Sequence, residues 1–571
     1  MMLSACDGRV RGSLLLLMGL VGTLGIDPTL AAQNLPDAGA VRQQIEQQRH
    51  APLPEAGSPQ FAPPPPMESM GGVTVTVSSF RFDGNTLLTY RQLADAVDGF
   101  VGHAIDFAGL QNAAIAVAAA YRNAGYVVRA YLPKQEIADG QVTIQIVEAR
   151  LGAVRVEGQP TRISSARLQR VIESAQNRGD LLNADALDRG LLLINDLPGV
   201  SATGSLTAGA APSETDLVLN AIDSPLVSGN ISLDNVGSRF TGEVRAVAAA
   251  SLNSRLGLGD RADALLLHSE GSDYGRISYS LPVTASGLRV GANASRLNYS
   301  IVTPEFRALD AHGASDSFGL DAAYPLIRAR LRNFYVGFNG VYSSFDNKSA
   351  GVTTTDYSVA SATLSLYGNL FDQYWGGGVN TASLAITQGD VDLGGSPNEL
   401  ADALTTQTAG NFYRMNLSLS RLQVMTERIS LFANLQAQVA GKNMDSSQRM
   451  YLGGAQGVRA YPQDEAGGSD GLLFTLEART RITDSINATG FVDWGQVRIN
   501  HDNDITGAAS PNIVSLKGLG VSASWVASFG LNVQATYARR LGSNPNPTLN
   551  GDDQDGTLVR NRFWLQASMP F

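Results

Sequence analysis

Cysteine is nearly absent: the 571 residues hold one, Cys6. Past that residue the chain has no thiol, which excludes disulfide scaffolds, Cys-ligated zinc, iron–sulfur clusters and thiol nucleophiles. The lack suits an oxidising compartment, where a stray thiol is a liability. Charge is also sparse, at 16% of residues against a usual share of about 25%. Among the 42 basic residues only Lys134, Lys348, Lys442 and Lys517 are lysine. The net charge of −10 leaves no basic footprint for nucleic acid. Beyond residue 32 no apolar run approaches the about 18 residues of a spanning helix. No Gly-rich loop ends in Gly-Lys-Ser/Thr, so nucleotide chemistry has no signature. His50, His103, His268, His312 and His501 are scattered, and none pairs at zinc-binding spacing.

What is present begins with a leader. Arg9 and Arg11 precede an apolar core from Ser13 to Leu24, and Thr29-Leu30-Ala31 is a small-x-small cleavage site. Residues 1–32 are therefore predicted to be a removed secretory signal. Leu3-Ser4-Ala5-Cys6 spells a lipoprotein box but precedes the apolar core, the wrong order for one. An exported chain without a membrane helix is either soluble or a closed barrel, which also satisfies every backbone group in lipid.

Residues 33–50 read as a short polar helix whose apolar stripe, Val41 and Ile45, is too thin for a core helix. Residues 51–72 read as a linker. Its Pro63 to Pro66 should be extended, and at about 3.1 Å per residue the whole segment reaches roughly 60–70 Å. Residues 73–149 and 150–223 read as two α+β modules of order β-α-α-β-β. In the first, Val73, Val75 and Val77 alternate as a strand closing at Asp83-Gly84. Helices follow around Leu93 to Val97 and Leu110 to Tyr121, then strands Val127 to Tyr131 and Val142 to Val147. The second repeats this with strand Ala153 to Glu157, helices at Leu168 to Ile172 and Ala186 to Ile194, and strands Val200 to Leu206 and Asp216 to Ile222.

From residue 226 to 571 helical periodicity gives way to alternation. Turn signals divide the segment into sixteen strands, a length that fits transmembrane strands of about 9–11 residues plus extensions. Connections after even-numbered strands are mostly tight, as at Thr284-Ala285 and Ala527-Ser528. Those after odd-numbered strands are mostly long: 299–315, 389–409, 441–470, 500–512 and 542–559. This sorting is that of an outer-membrane barrel with both ends in the periplasm. In the last strand Phe563, Leu565, Ala567, Met569 and Phe571 share one face, expected to meet lipid, while Trp564, Gln566 and Ser568 share the other.

Two near misses carry no chemistry. Gly467-Gly468-Ser469-Asp470-Gly471 matches the hydrolase elbow by letters, but it leads into a strand and not from a strand to a helix. Gly551-Asp552-Asp553-Gln554-Asp555-Gly556 could hold calcium; a solvated acidic outer loop is the plainer reading. No catalytic constellation, cofactor site or metal site is expected, and the chain is read as not an enzyme.

Several motifs together resemble the outer-membrane transporters of two-partner secretion, over essentially the whole chain beyond the leader. Leu132-Pro133-Lys134-Gln135, leading into Val142 to Val147, looks like the Pro-x-Gln segment of the family's first polypeptide-transport-associated (POTRA) module. Leu233-Asp234-Asn235-Val236-Gly237 and Thr241-Gly242 resemble the start of its barrel. Gly457-Val458-Arg459-Ala460-Tyr461 resembles the V-R-G-Y tip of its sixth outer loop, here 441–470, with Ala460 where the family has Gly. Phe491-Val492-Asp493-Trp494-Gly495 resembles the F-x-D-x-G motif of its thirteenth strand. By spacing alone, Arg459 reads as exposed and Asp493 as solvated in the lumen; the resemblance favours a latch between them.

The resemblance implies a mainly β fold: a 16-stranded transmembrane β-barrel preceded by two POTRA modules and a plug helix. The latch residues would be Val458, Arg459, Tyr461, Phe491, Asp493 and Gly495. The module motif would be Leu132, Pro133 and Gln135. Phe563, Leu565, Met569 and Phe571 would form a C-terminal signal read by the outer-membrane assembly machinery. The implied activity is ATP-independent export of a large exoprotein (adhesin, haemolysin or related toxin) captured by its N-terminal secretion domain. The site of action is the outer membrane of a Gram-negative bacterium, with the modules in the periplasm. Alternatives are a superfamily insertase of outer-membrane proteins or a passive porin-like channel.

Overall fold

The computed structural model describes residues 35–48, 74–158, 162–211, 213–463 and 465–571. The predicted leader and Pro-rich linker lie outside them. Sixteen strands close into one antiparallel barrel. They are β9 (Val227–Asp234), β10 (Arg245–Asn253), β11 (Arg261–Ser269), β12 (Ser272–Pro282), β13 (Arg289–Ser300), β14 (His312–Arg328), β15 (Arg332–Ser349) and β16 (Val352–Asp372). The wall continues with β17 (Gly378–Asp392), β18 (Gly410–Val424), β19 (Ile429–Ala440), β22 (Asp470–Arg481), β23 (Ile486–Arg498), β24 (Ile513–Val526), β25 (Asn532–Arg540) and β26 (Asn561–Pro570), while β20 (Met450–Tyr451) and β21 (Gly467–Gly468) pair with each other between β19 and β22.

Alternation explains the closure. Ile231, Leu233, Leu266, Ile277, Phe318, Leu320, Phe338 and Leu364 point outward and are exposed, while Ser232, Asp234, Asn293, Ser295 and Ser317 are buried inside. A lipid face of apolar residues over a polar lumen is the pattern a membrane barrel requires. Long excursions follow odd-numbered barrel strands at 235–244, 301–311, 393–409, 441–469, 499–512 and 541–560. Two such connections, 270–271 and 350–351, are instead tight. At 350–351 the strands themselves project: β15 and β16 run 18 and 21 residues, so ladder replaces loop. The barrel closes where Gln566–Pro570 of β26 meets Asn230–Asp234 of β9, a much shorter ladder than that of β15 with β16.

Two α+β modules precede the barrel. The first has β2 (Ser79–Asp83), α2 (Tyr90–Val97), α3 (Phe107–Asn123), β4 (Val128–Tyr131) and β5 (Gln141–Glu148). Its sheet order is β2-β5-β4, with β2 parallel to β5. Thr89 and Gln92 form a capping box at α2, and Asp106 caps α3. Leu93, Val117, Tyr121 and Ile144 fill the core. The expected first strand is broken: β1 (Val75–Thr76) pairs with β3 (Ala104–Ile105), and the sheet strand starts only at Ser79. The break comes at Ser78, whose N–H and hydroxyl are held by the Gly140 and Asp139 carbonyls at 2.8 and 2.6 Å.

The second module has β6 (Arg150–Glu157), α4 (Ser165–Ala175), α5 (Ala184–Asn195), β7 (Val200–Ala208) and β8 (Glu214–Asp223), in sheet order β6-β8-β7. Backbone bonds join the modules: Val127 N–H to the Leu182 carbonyl and Leu182 N–H to that of Ala149, at 3.1 and 2.8 Å. Module 2 in turn docks on the short-turn end of the barrel. Arg328 grips Asp196 with two bonds of 2.8 Å, and Arg330 grips Asp188 at 2.7 and 2.5 Å.

Candidate functional site: the barrel lumen

Val458 and Tyr461 are buried, and Arg459 half-buried, at the tip of the long outer loop, which folds inward. Phe491, Asp493 and Gly495 alternate along β23 and face the lumen. The structure brings the two sets together. Arg459 donates from Nε and Nη2 to the two Asp493 oxygens at 2.8 and 2.7 Å, and its backbone N–H adds a third bond of 3.1 Å. Its Nη1 reaches Glu477 at 2.8 Å. Thr475, directly opposite Asp493 in the ladder, donates to it at 3.1 Å. The guanidinium carbon sits 3.4 Å from the centre of the Phe491 ring, and Trp564 Nε1 donates to the Arg459 carbonyl at 2.8 Å. A fork-to-carboxylate bond is among the stronger polar contacts, and the Asp493 side of this one is closed to water.

Glycine supplies the room. A methyl at Gly495 would come within 3.0–3.2 Å of Leu452 and Val458. Ala460 is not among the residues with positive φ, so its methyl brings no backbone strain. That methyl instead faces Gly518, where an added Cβ would lie 2.7 Å away. The wall has given up a side chain where the loop carries one. Glu477, Thr475 and Trp564 were missed by sequence reading. Their signal was the polar alternation Thr475-Glu477-Arg479 on one strand face.

A second buried cluster ties the same loop to the last outer loop. Asp553 and Asp555 are 0% and 1% exposed, so the acidic stretch is neither solvated nor a calcium cage. Arg540 binds Asp553 at 2.5 Å, and Arg562 reaches Asp553 and Asp555 at 3.3 and 3.1 Å. Arg540 also stacks on Tyr461 at 4.4 Å. Glu465 accepts from Gln554 N–H and Asn544 at 2.9 and 3.2 Å. Burial first, then Asp553 and Asp555 nearby, push its carboxyl up to about 8. A raised carboxyl makes stability fall as pH rises from its ordinary value near 4.5 to about 8, and level off above. Glu465→Gln should remove that slope. Thermal unfolding of both proteins across this range tests it: the difference should favour the variant increasingly up to pH 8.

The lumen also holds a helix, α1 (Ala38–Gln47), shorter than the expected 33–50. Asp37 caps it, accepting from Ala40 N–H at 2.8 Å. It bonds to one arc of the wall, at β10, β12 and β15, and to the long loop. Ala38 N–H donates to Asn347, Arg42 to Ser343 and Tyr274 to Glu46, at 2.8, 2.5 and 2.5 Å. Arg245 reaches Gln48 at 2.9 Å. Ser446 of the long loop donates to both Asp37 oxygens at 2.8 Å. Val41 and Ile45 pack with Leu297, Phe345 and Tyr357. A thin apolar stripe is what a polar tube accepts.

Of the other expected residues, Leu132 and Pro133 directly follow β4, and Gln135 replaces its next rung. Gln135 Nε2 donates to the Thr143 carbonyl at 2.8 Å and its Oε1 accepts from Thr143 N–H at 2.7 Å. Gln135→Leu strands both backbone groups. An unmade partly buried bond costs about 1–3 kcal/mol, so amide exchange at Thr143 should quicken correspondingly while remote amides keep theirs. Phe563, Leu565, Met569 and Phe571 are all exposed on the outer face. Phe571 exchanges two 3.0 Å backbone bonds with Gly229 across the seam. Gly467 and Gly468 form a short strand, and buried Ser469 donates to the Ile499 carbonyl at 3.0 Å, a structural role.

Comparison with known proteins supplies context. Residues 213–521 match the family described as haemolysin secretion/activation protein ShlB/FhaC/HecB, and residues 75–149 match the ShlB-type POTRA domain. The chain is 27% identical over 568 residues to the heme/hemopexin transporter protein HuxB of Haemophilus influenzae, covering 96% of this chain and 97% of that protein. It is 23% identical over 483 residues to the outer membrane transporter CdiB of Dickeya dadantii, covering 82% and 84%. The solved structure of CdiB from Escherichia coli shares the fold at TM-score 0.67 and 19% identity, over 100% of both chains.

Proposed function

The chain belongs to the haemolysin secretion/activation family, the outer-membrane transporters of two-partner secretion, and from that premise we propose how it moves its cargo. The two modules capture the unfolded N-terminal domain of one large exoprotein. The edge strands β2, β4, β6 and β7 offer unpaired backbone groups for an extended chain to join. The chain then passes through the lumen after α1 leaves it and the long loop shifts. Folding outside the cell withdraws chain from the transit equilibrium, so no ATP is needed and no bond is made or broken. Lipid of the outer membrane and the barrel-assembly machinery, reading Phe563 to Phe571, are its other partners.

The observation that supports this reading best is a lumen filled by two separable parts. A helix held mostly by side-chain contacts and a loop held by an arginine fork and a second polar cluster are removable in a way that a packed core is not. Adhesin, haemolysin, toxin and, by analogy with HuxB, haem-linked cargo are the candidates. The short β26–β9 ladder would also suit an insertase that opens sideways. Binding of the 73–222 fragment to the N-terminal domain of an exoprotein encoded beside this gene separates the two. Micromolar or tighter binding supports the translocase; binding only to the C-terminal strands of barrel proteins would replace it with the insertase.

A further inference from the structure

The joint between module 2 and the barrel contains a cavity of about 260 Å³. One side is α4 and the end of α5; the other is the short-turn ends of β12 to β16. Its charged lining is Arg167, Arg170, Arg289 and Asp196. Asp196 is already taken by Arg328, through two bonds of 2.8 Å. Among the described residues none of the three arginines has a carboxylate at ion-pair distance. Arg167 donates to the Pro282 carbonyl at 3.0 Å, and Arg289 to the Gly259 carbonyl and Ser280, both at 3.1 Å. Those acceptors are neutral and leave the positive charge standing.

Two of the acids nearby are occupied as well. Asp188 is bound to Arg330 and Asp263 to Arg261, at 2.5 and 2.6 Å, while Asp260 accepts the Leu256 and Leu258 N–H groups and its charge offsets part of that of Arg167 and Arg289. In a chain of net charge −10, three arginines against one carboxylate without an arginine of its own are a local reversal of sign. Beside it Tyr335 and Tyr367 stack face to face, with centroids 5.3 Å apart and planes 8° from parallel. Both tyrosines line the same cavity and sit on the lumenal face of the wall. Stacked rings offer a flat surface to peptide planes and apolar stems.

We propose that this cavity is the threshold between module 2 and the lumen, and that it favours extended polypeptide carrying carboxylate side chains. The inference rests on the translocase reading. Charge complementarity commits it to an acidic polypeptide segment and not to a basic or neutral one. The cavity is too small for a folded domain, so the segment must arrive unfolded.

The test uses the full chain in nanodiscs of phosphatidylcholine, with two fluorescent peptides of equal length, alternating Asp-Ser and alternating Lys-Ser. The acidic peptide should bind at least about tenfold more tightly, a difference of about 1.4 kcal/mol, and should weaken as salt screens the site. Arg167→Gln/Arg170→Gln/Arg289→Gln should lose that preference, and the same three changes to Lys should largely keep it. Arg170→Gln alone, at an exposed position, should lose part of it without risk to folding. Equal binding of both peptides, or an unchanged preference in the Gln variants, would overturn the proposal. So would an effect that appears only with phosphatidylglycerol present, which would make the site a lipid headgroup contact. No exoprotein is involved, so this outcome is independent of whether 73–222 binds one.

Discussion

Arg459→Ala should abolish export while leaving the barrel assembled. The side chain of Asp493 is 0% exposed and loses its only arginine among the described residues, while Glu477, 10% exposed, keeps Arg479 at 2.7 Å. Removing one partner of a buried ion pair costs about 3–5 kcal/mol, mostly because the remaining charge is stranded. At 1.4 kcal/mol per factor of ten, the latched state should fall by about two to three and a half orders of magnitude relative to the released one. The strand ladders are untouched, so migration as a folded barrel should persist. The loop 441–469, however, should become accessible to protease added outside the cell, and exoprotein should accumulate in the periplasm. Arg459→Lys keeps the charge but not the fork and should fall between. Asp493→Asn combined with Arg459→Ala should cost much less than the sum of the two, because both remove one contact. A loop that stays as protected in Arg459→Ala as in the wild type would eliminate the latch.

The parts of this molecule visible in its sequence are those whose physics is local or periodic. Sixteen strands announce themselves because a wall between lipid and water must alternate, as Leu233, Ile231 and Gly229 do against Asp234, Ser232 and Asn230 on β9 and its neighbours. The modules are visible because α3 and α5 carry apolar faces at helical spacing and end at Gly125 and near Gly199. The latch was a pair of weak motifs until the family resemblance joined them, since nothing local says that position 459 must meet position 493. Glu477 and Glu465 escaped because a buried carboxylate looks, letter by letter, like a solvated one. The acidic stretch at 551–556 misled for the same reason: its partners, Arg540 and Arg562, come from strands on either side. The helix α1 defied the ordinary rule for core helices. In a polar tube a helix buries Gln44 beside Val41, and an apolar stripe ceases to be the mark of burial.

That inversion sets the second large effect expected here. The wall groups that hold α1 are Asn347, Ser343, Tyr274, Arg245 and, from the loop, Ser446. Beside the packing of Ala38, Val41 and Ile45, these bonds join polar groups that water could replace, and a net protein–protein hydrogen bond is worth only about 0.5–1.5 kcal/mol. The helix is thus held by a modest free energy spread over many bonds, which suits a part that must leave and return. Deleting 35–48 should raise single-channel conductance in planar bilayers severalfold, because a helix with side chains occupies a cylinder about 10–12 Å across. Asp37→Ala should act in the same direction by frequency, not amplitude. It removes the helix cap, worth about 1 kcal/mol, together with the Ser446 contact, so openings should become several times more common at unchanged size. Ser446→Ala added to Asp37→Ala should bring little more. Conductance unaltered by the deletion would mean that the loop, not the helix, sets the closed pore. The loop's anchors, the arginine fork and the cluster around Glu465 and Arg540, would then hold the gate, and losing both should reproduce the open channel.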